Sequence, residues 1–119
     1  MEDPKSFNYV LSHKKGLLLL SLRGDLTPGI LPGLEACRAE ILSKTGFTRA
    51  VFYLADVTQI HSDAIPLITQ IFRDVRTRAA NLQLVGLKPN MRDRFVKMGV
   101  VRESEVSADL KAALTARAG

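Results

Sequence analysis

The stretch "TQIHSDAIPLI", residues 58–68, places a histidine, a serine and an aspartate side by side where an apolar run gives way to a helical pattern. Those residue types offer three kinds of chemistry. His61 could move a proton, Ser62 could act as a nucleophile or accept a modifying group, and Asp63 could supply a charge or accept hydrogen bonds. Neighbouring side chains generally diverge, so adjacency does not make His61 and Ser62 a base and nucleophile pair. The other histidine, His13, lies beside two lysines in a predicted turn, which leaves no set of three or four convergent metal ligands. Neither a G-x-x-x-x-G-K-[ST] nor a G-x-G-x-x-G phosphate loop occurs, and there is no G-x-S-x-G elbow for a nucleophilic serine. Cys37 is the only cysteine, which rules out an internal disulfide and a cysteine-based metal cluster. The expectation is a non-enzymatic protein without metal or cofactor.

A structural role accounts for the same residues. Ser62 or Asp63 can accept a hydrogen bond from the first free N–H groups of a following helix, a cap worth about 1 kcal/mol. A carboxylate there also meets the positive end of the helix dipole, and Pro66 is tolerated within a first turn.

The elements that hold this junction follow from periodicity. "FNYVLSHKKGLLLLSLRG" predicts two strands joined at "HKKG", the second over Leu17–Leu22 and apolar enough to be covered on both faces. "DLTPGILPG" reads as a loop, after which Ile30, Leu34, Cys37 and Ile41 recur at helical spacing until "KTG". "RAVFYLADV" is a third strand. Ala64, Leu67, Ile68, Ile71, Phe72 and Val75 then form the apolar stripe of a helix from Asp63 to about Ala79. "NLQLVGL" is a fourth strand, and "KPNMRDRFVKMG" a short helix with Met91, Phe95 and Met98 on one face. A brief strand is expected near Val100 and Val101, and a terminal helix capped by Ser107.

The order β-β-α-β-α-β-α-(β)-α predicts an α/β domain, a mixed four- to five-stranded sheet packed against about four helices. With 119 residues, 46% apolar and 24% charged, the chain reads as one domain over 1–119 with its core at about 7–114. The polar, acidic start "MEDPKSFNYV" does not read as a signal peptide, and "GLLLLSL" is too short to span a bilayer, so the expected setting is cytoplasmic, without membrane insertion.

Net charge is +5, and the excess is local. Residues 73–102 carry Arg73, Arg76, Arg78, Lys88, Arg92, Arg94, Lys97 and Arg102 against Asp74 and Asp93 alone. Such a region is either two solvated helix faces or a surface for an anionic partner. The lack of tryptophan and the few aromatics give bases little to stack on, so no nucleic acid is expected.

Taken in order, three stretches make the chain resemble a STAS domain, the sulfate-transporter and anti-sigma-factor-antagonist family. "LLLLSLRGDL" resembles the family's second strand ending in Gly-x-Leu, here Gly24-Asp25-Leu26. "AVFYLADVTQIHSDAIPLI" resembles its central strand, loop and helix start, where many members read Asp-Ser-Ser-Gly-Leu. "NLQLVGLKPNMRDRFVKMGV" resembles its fourth strand, Pro-containing turn and following helix.

The resemblance implies a bacterial partner-switching role in transcription regulation. An unmodified domain binds an anti-sigma factor that is itself a serine kinase, and phosphorylation of the second serine of Asp-Ser-Ser-Gly breaks that complex. It implies a partner-binding loop made of Asp25, Thr27, His61, Ser62, Asp63 and Ala64. His61 replaces the family's aspartate, Ser62 matches the first serine, Asp63 stands at the phosphoacceptor position, and Ala64 replaces glycine. Thr27 and Tyr53 also stand where aspartates are frequent. Asp63 has no hydroxyl to phosphorylate, which leaves Ser62 as the nearest acceptor. The alternative is a STAS subunit of another assembly, a stressosome-like scaffold or an accessory subunit of a lipid-transport ATPase. A homodimer is left open.

Overall fold

In the computed structural model, residues 7–78 and 81–115 are described. Strands β1 (Asn8–Lys14), β2 (Leu17–Leu26), β3 (Arg49–Ile60), β4 (Asn81–Val85) and β5 (Val106–Ser107) form one sheet in the order β1-β2-β3-β4-β5. β1 runs antiparallel to β2 through the tight turn at Lys15-Gly16, and the other three pairings are parallel. Helices α1 (Leu31–Ser43), α2 (Ile65–Arg78) and α3 (Pro89–Lys97) link the parallel strands, and α4 (Leu110–Thr115) follows β5. This is the predicted α/β architecture, a mixed five-stranded sheet with four helices.

Alternation along the strands decides which helices cover which face. Leu18, Leu20 and Leu22 of β2, with Ala50, Phe52 and Leu54 of β3, pack against Leu34, Cys37 and Ile41 of α1 and Ile68, Ile71, Phe72 and Val75 of α2. The Phe52 and Phe72 rings lie 5.5 Å apart at their centres. The opposite residues, Val51 and Val85, pack with Ala113 of α4, and half-buried Leu17, Leu19 and Tyr53 border them. β2 and β3 are therefore apolar on both faces because helices lie on both. Burial pushes the Cys37 thiol up to about 12, which keeps it protonated and inert.

Several boundaries differ from those predicted. β2 continues through Asp25 and Leu26, which were expected in a loop, because β3 extends to Ile60 and pairs with them. The strand predicted through Leu87 stops at Val85. Gly86 has φ +83°, and a Cβ placed there would lie 2.6 Å from the Cβ and N of Ala55 and 2.7 Å from its Cα. Val100 and Val101 are buried but do not pair; their N–H groups close the end of α3 by donating to the Phe95 carbonyl. The fifth strand lies six residues later, so Ser107 is a strand residue. Asp109 caps α4 instead, accepting from Ala112 N–H at 2.8 Å. Met98, expected beside Phe95 on the buried face, is 54% exposed because α3 ends at Lys97.

Two charged pairs tie helices to their neighbours. Arg38 of α1 meets Asp74 of α2 at 2.7 Å. Burial works against the Asp74 carboxylate, but hydrogen bonds from Arg38 and Gln70 outweigh it and hold the group below its ordinary range. Arg76 of α2 donates to both carboxylate oxygens of Glu105, at 2.8 and 2.6 Å, and to the Val100 carbonyl at 2.9 Å. Glu105 is nearly as buried as the core, and burial alone would raise it. The bonds from Arg76 and the Arg102 backbone N–H outweigh that and hold it below its ordinary range. Arg76 is thus a structural clamp and not part of a free basic surface.

Candidate functional site

Parallel strands send their C-terminal ends, and the loops that follow, to one end of the sheet. Here that end gathers Thr27 after β2, His61 to Ala64 after β3, and Lys88 after β4. Three hydrogen bonds join the loops. His61 N–H donates to the Leu26 carbonyl at 2.8 Å, Lys88 Nζ donates to the Val57 carbonyl at 2.6 Å, and Thr58 Oγ1 donates to Asp25 Oδ1. The β2–β3 register shifts between Ser21 and Arg23 and again between Gly24 and Asp25. Such irregularities re-aim side chains at strand ends.

Asp63 lies in the single 3-10 turn Ser62–Ala64 that opens into α2 at Ile65, as the change of period predicts. The side chain that caps this turn is His61, not Ser62 or Asp63: Nδ1 of His61 accepts from Asp63 N–H at 3.1 Å. Nδ1 of the imidazole is therefore the acceptor in this cap. His61→Ala is expected to lower stability by about 1 kcal/mol, read from the urea midpoint. His61→Asn should recover most of the loss. Equal loss in both variants would mean that the cap contributes nothing.

His61, Ser62 and Asp63 face solvent, with the His61 and Asp63 side chains 51% and 63% exposed, while Ala64 is fully buried beneath them. Asp25 and Thr27 are half-buried behind the loop. The structure thus brings the six predicted residues to one end of the sheet, with three forming the exposed tip. Sequence reasoning missed Lys88 as the tether of the third loop. Its one available signal was a lysine directly before the proline that starts α3. Among the described residues, no helix is long and apolar enough to cross a membrane. No group of three or more His, Cys, Asp or Glu in those residues could hold a metal ion.

An exposed, capped tip leading into an amphipathic helix, on a mixed sheet layered by helices, defines a small α/β domain that presents a loop at one end of its sheet. The STAS domain model matches residues 8–113, and the chain belongs to the STAS domain family. No curated protein matches it in sequence. Among solved structures, it is similar to an anti-sigma factor antagonist from Mycobacterium paratuberculosis, with 18% identity, a TM-score of 0.74 and 97% of each chain covered. It is also similar to the Bacillus cell fate determinant SpoIIAA in its phosphorylated form, with 16% identity and a TM-score of 0.66 over 90% of this chain and 96% of that one. For the unphosphorylated form of SpoIIAA, an anti-sigma factor antagonist, identity is 17% and the TM-score 0.67, over 90% and 93%. At these identities the likeness is one of fold.

Proposed function

We propose that this chain is a non-enzymatic regulatory module of the anti-sigma factor antagonist type, acting in the bacterial cytoplasm. It binds a protein partner, an anti-sigma factor resembling a serine kinase, through the His61–Ala64 loop with Asp25 and Thr27 behind it. The observation that carries this reading is the placement of Asp63: a carboxylate held in the open at the start of α2, where the family's switch residue would stand. A phosphoserine would bring about −1.5 to −2 charges to that point, whereas Asp63 brings one permanently. No kinase can add phosphate there through a serine mechanism. The module is therefore fixed in one charge state rather than switched.

The test compares partner affinity for wild type, Asp63→Asn, Asp63→Ser and Ser62→Ala, with mass spectrometry of protein from the native cell. Asp63→Asn keeps shape and removes charge, and is expected to change affinity by about tenfold, the range of a charged hydrogen bond. Ser62→Ala should leave affinity unchanged, and position 62 should carry no phosphate. Stoichiometric phosphate on Ser62 with loss of binding would place the switch one residue earlier. Equal affinities for all variants, without phosphate, would reduce the loop to a helix cap. Capture of a membrane ATPase instead would replace the anti-sigma partner.

A further inference from the structure

Beside the loop lies a cleft of about 220 Å³ between the end of β3, residues 58–60, and Lys88, Asn90, Met91 and Arg94 at the start of α3. Two cations and three neutral polar side chains line it, and no carboxylate does. Among the described residues, neither cation has an acidic partner. Lys88 Nζ spends one N–H on the Val57 carbonyl and keeps two, and the Arg94 guanidinium makes no hydrogen bond. Three other arginines of the basic region are engaged to differing degrees, while Arg73 on α2 is exposed. Arg76 is clamped to Glu105, Arg78 donates to the Leu42 and Lys44 carbonyls, and Arg92 lies 3.5 Å from Asp93. Ile60 and Met91, both half-buried, add an apolar floor.

We infer that this cleft receives an acidic segment of the protein partner, with a carboxylate against Lys88 and Arg94 and an adjoining apolar side chain on Ile60 and Met91. The inference rests on the protein-binding role proposed above and names the partner's chemistry at that surface. An uncompensated pair of cations attracts a carboxylate and is desolvated favourably only by an opposite charge. The guanidinium fork suits a carboxylate held by two N–H groups. The apolar floor distinguishes a peptide from a bare inorganic anion, which would leave that floor wet. The acidic tip at Asp63 and the basic cleft then call for a partner of opposite pattern: a cation facing the tip and a carboxylate facing the cleft.

The probe is a blocked hexapeptide of alternating leucine and glutamate, titrated into the 15N-labelled full chain at low salt. Its glutamine analogue and inorganic phosphate serve as comparisons. The expected result is saturable shifts of the Gln59, Ile60, Asn90 and Arg94 amides with the acidic peptide alone. Binding should weaken about tenfold in Arg94→Gln and several-fold in roughly 0.5 M salt. Arg94 is exposed and its side chain holds no other element, so that variant keeps the fold. No saturable shift, or equal shifts with the neutral peptide, overturns the inference. Tighter binding of phosphate at the same amides also overturns it, in favour of a small-anion site. Failure here with altered partner affinity in Asp63→Asn removes the cleft and leaves the proposed function standing. Unchanged affinity in Asp63→Asn removes that function instead.

Discussion

Gly86→Ala is expected to destabilise the protein by about 3 kcal/mol or more, a large part of the roughly 5–15 kcal/mol that holds a domain of this size. Two effects combine. A φ of +83° places the new methyl in the left-handed region, which costs a non-glycine residue about 1–2 kcal/mol. The methyl would also meet Ala55 at 2.6 Å, and two of the three atoms it meets are backbone of β3, which cannot swing aside. Relieving that overlap means parting the end of β4 from β3, a strain of about 1–3 kcal/mol. Gly46 provides the control, because its φ is +79° and a Cβ there would meet nothing within 4 Å. Gly46→Ala should show the backbone cost alone. Urea unfolding of the two variants separates the terms, and equal losses would show that the approach to Ala55 is not tight.

Arg76→Met should cost about 3 kcal/mol, because it leaves the Glu105 carboxylate and the Val100 carbonyl buried without their donor. Replacing the pair together, Arg76→Met with Glu105→Leu, should recover most of that loss, since two apolar groups leave nothing unpaired. The pH dependence distinguishes a lost charge pair from lost packing. In the wild type the folded state holds Glu105 below its ordinary value of 4.5, so the unfolded chain binds the extra proton first. Stability from this pair is present above pH 4.5 and is lost as pH falls through the lower, folded value. Asp74, held low by Arg38, adds to the same acid limb. In Arg76→Met the sign at Glu105 reverses: burial without the cation raises the group, so acidification should narrow the gap between variant and wild type. A gap independent of pH would assign the loss to packing.

The residues themselves show how far a sequence carries. The nearly continuous apolar runs Leu17–Leu22 and Ala50–Leu54 and the stripe on α2 are local patterns, and they place the sheet and its principal helix correctly. The change of period at Ala64 also located the exposed tip. Strand ends were not readable, because Asp25 and Leu26 are strand residues only by virtue of a β3 that reaches Ile60. The capping residue was missed because Ser and Asp are the common caps, while here the His61 imidazole reaches the N–H first. The bonds that gather the site join residues 31 and 33 positions apart, Lys88 to Val57 and Thr58 to Asp25, and no local pattern encodes them. The role of Arg76 was hidden for the same reason: as one arginine among many, it is set apart only by Glu105, 29 residues away.

The spatial order of the five strands repeats their order along the chain. During synthesis, which delivers about 5–20 residues per second from the N-terminus, each new strand therefore emerges beside a neighbour that is already made. The β1–β2 hairpin needs only its turn, and hairpins close in about 1–10 μs. It can serve as the template on which β3, then β4, then β5 are laid. No strand waits for a partner still inside the ribosome, and the growing sheet has a single advancing edge. The loop at residues 61–64 leaves that edge as soon as β3 has docked, so the exposed tip takes shape before α3 brings Asn90, Met91 and Arg94 to the cleft beside it.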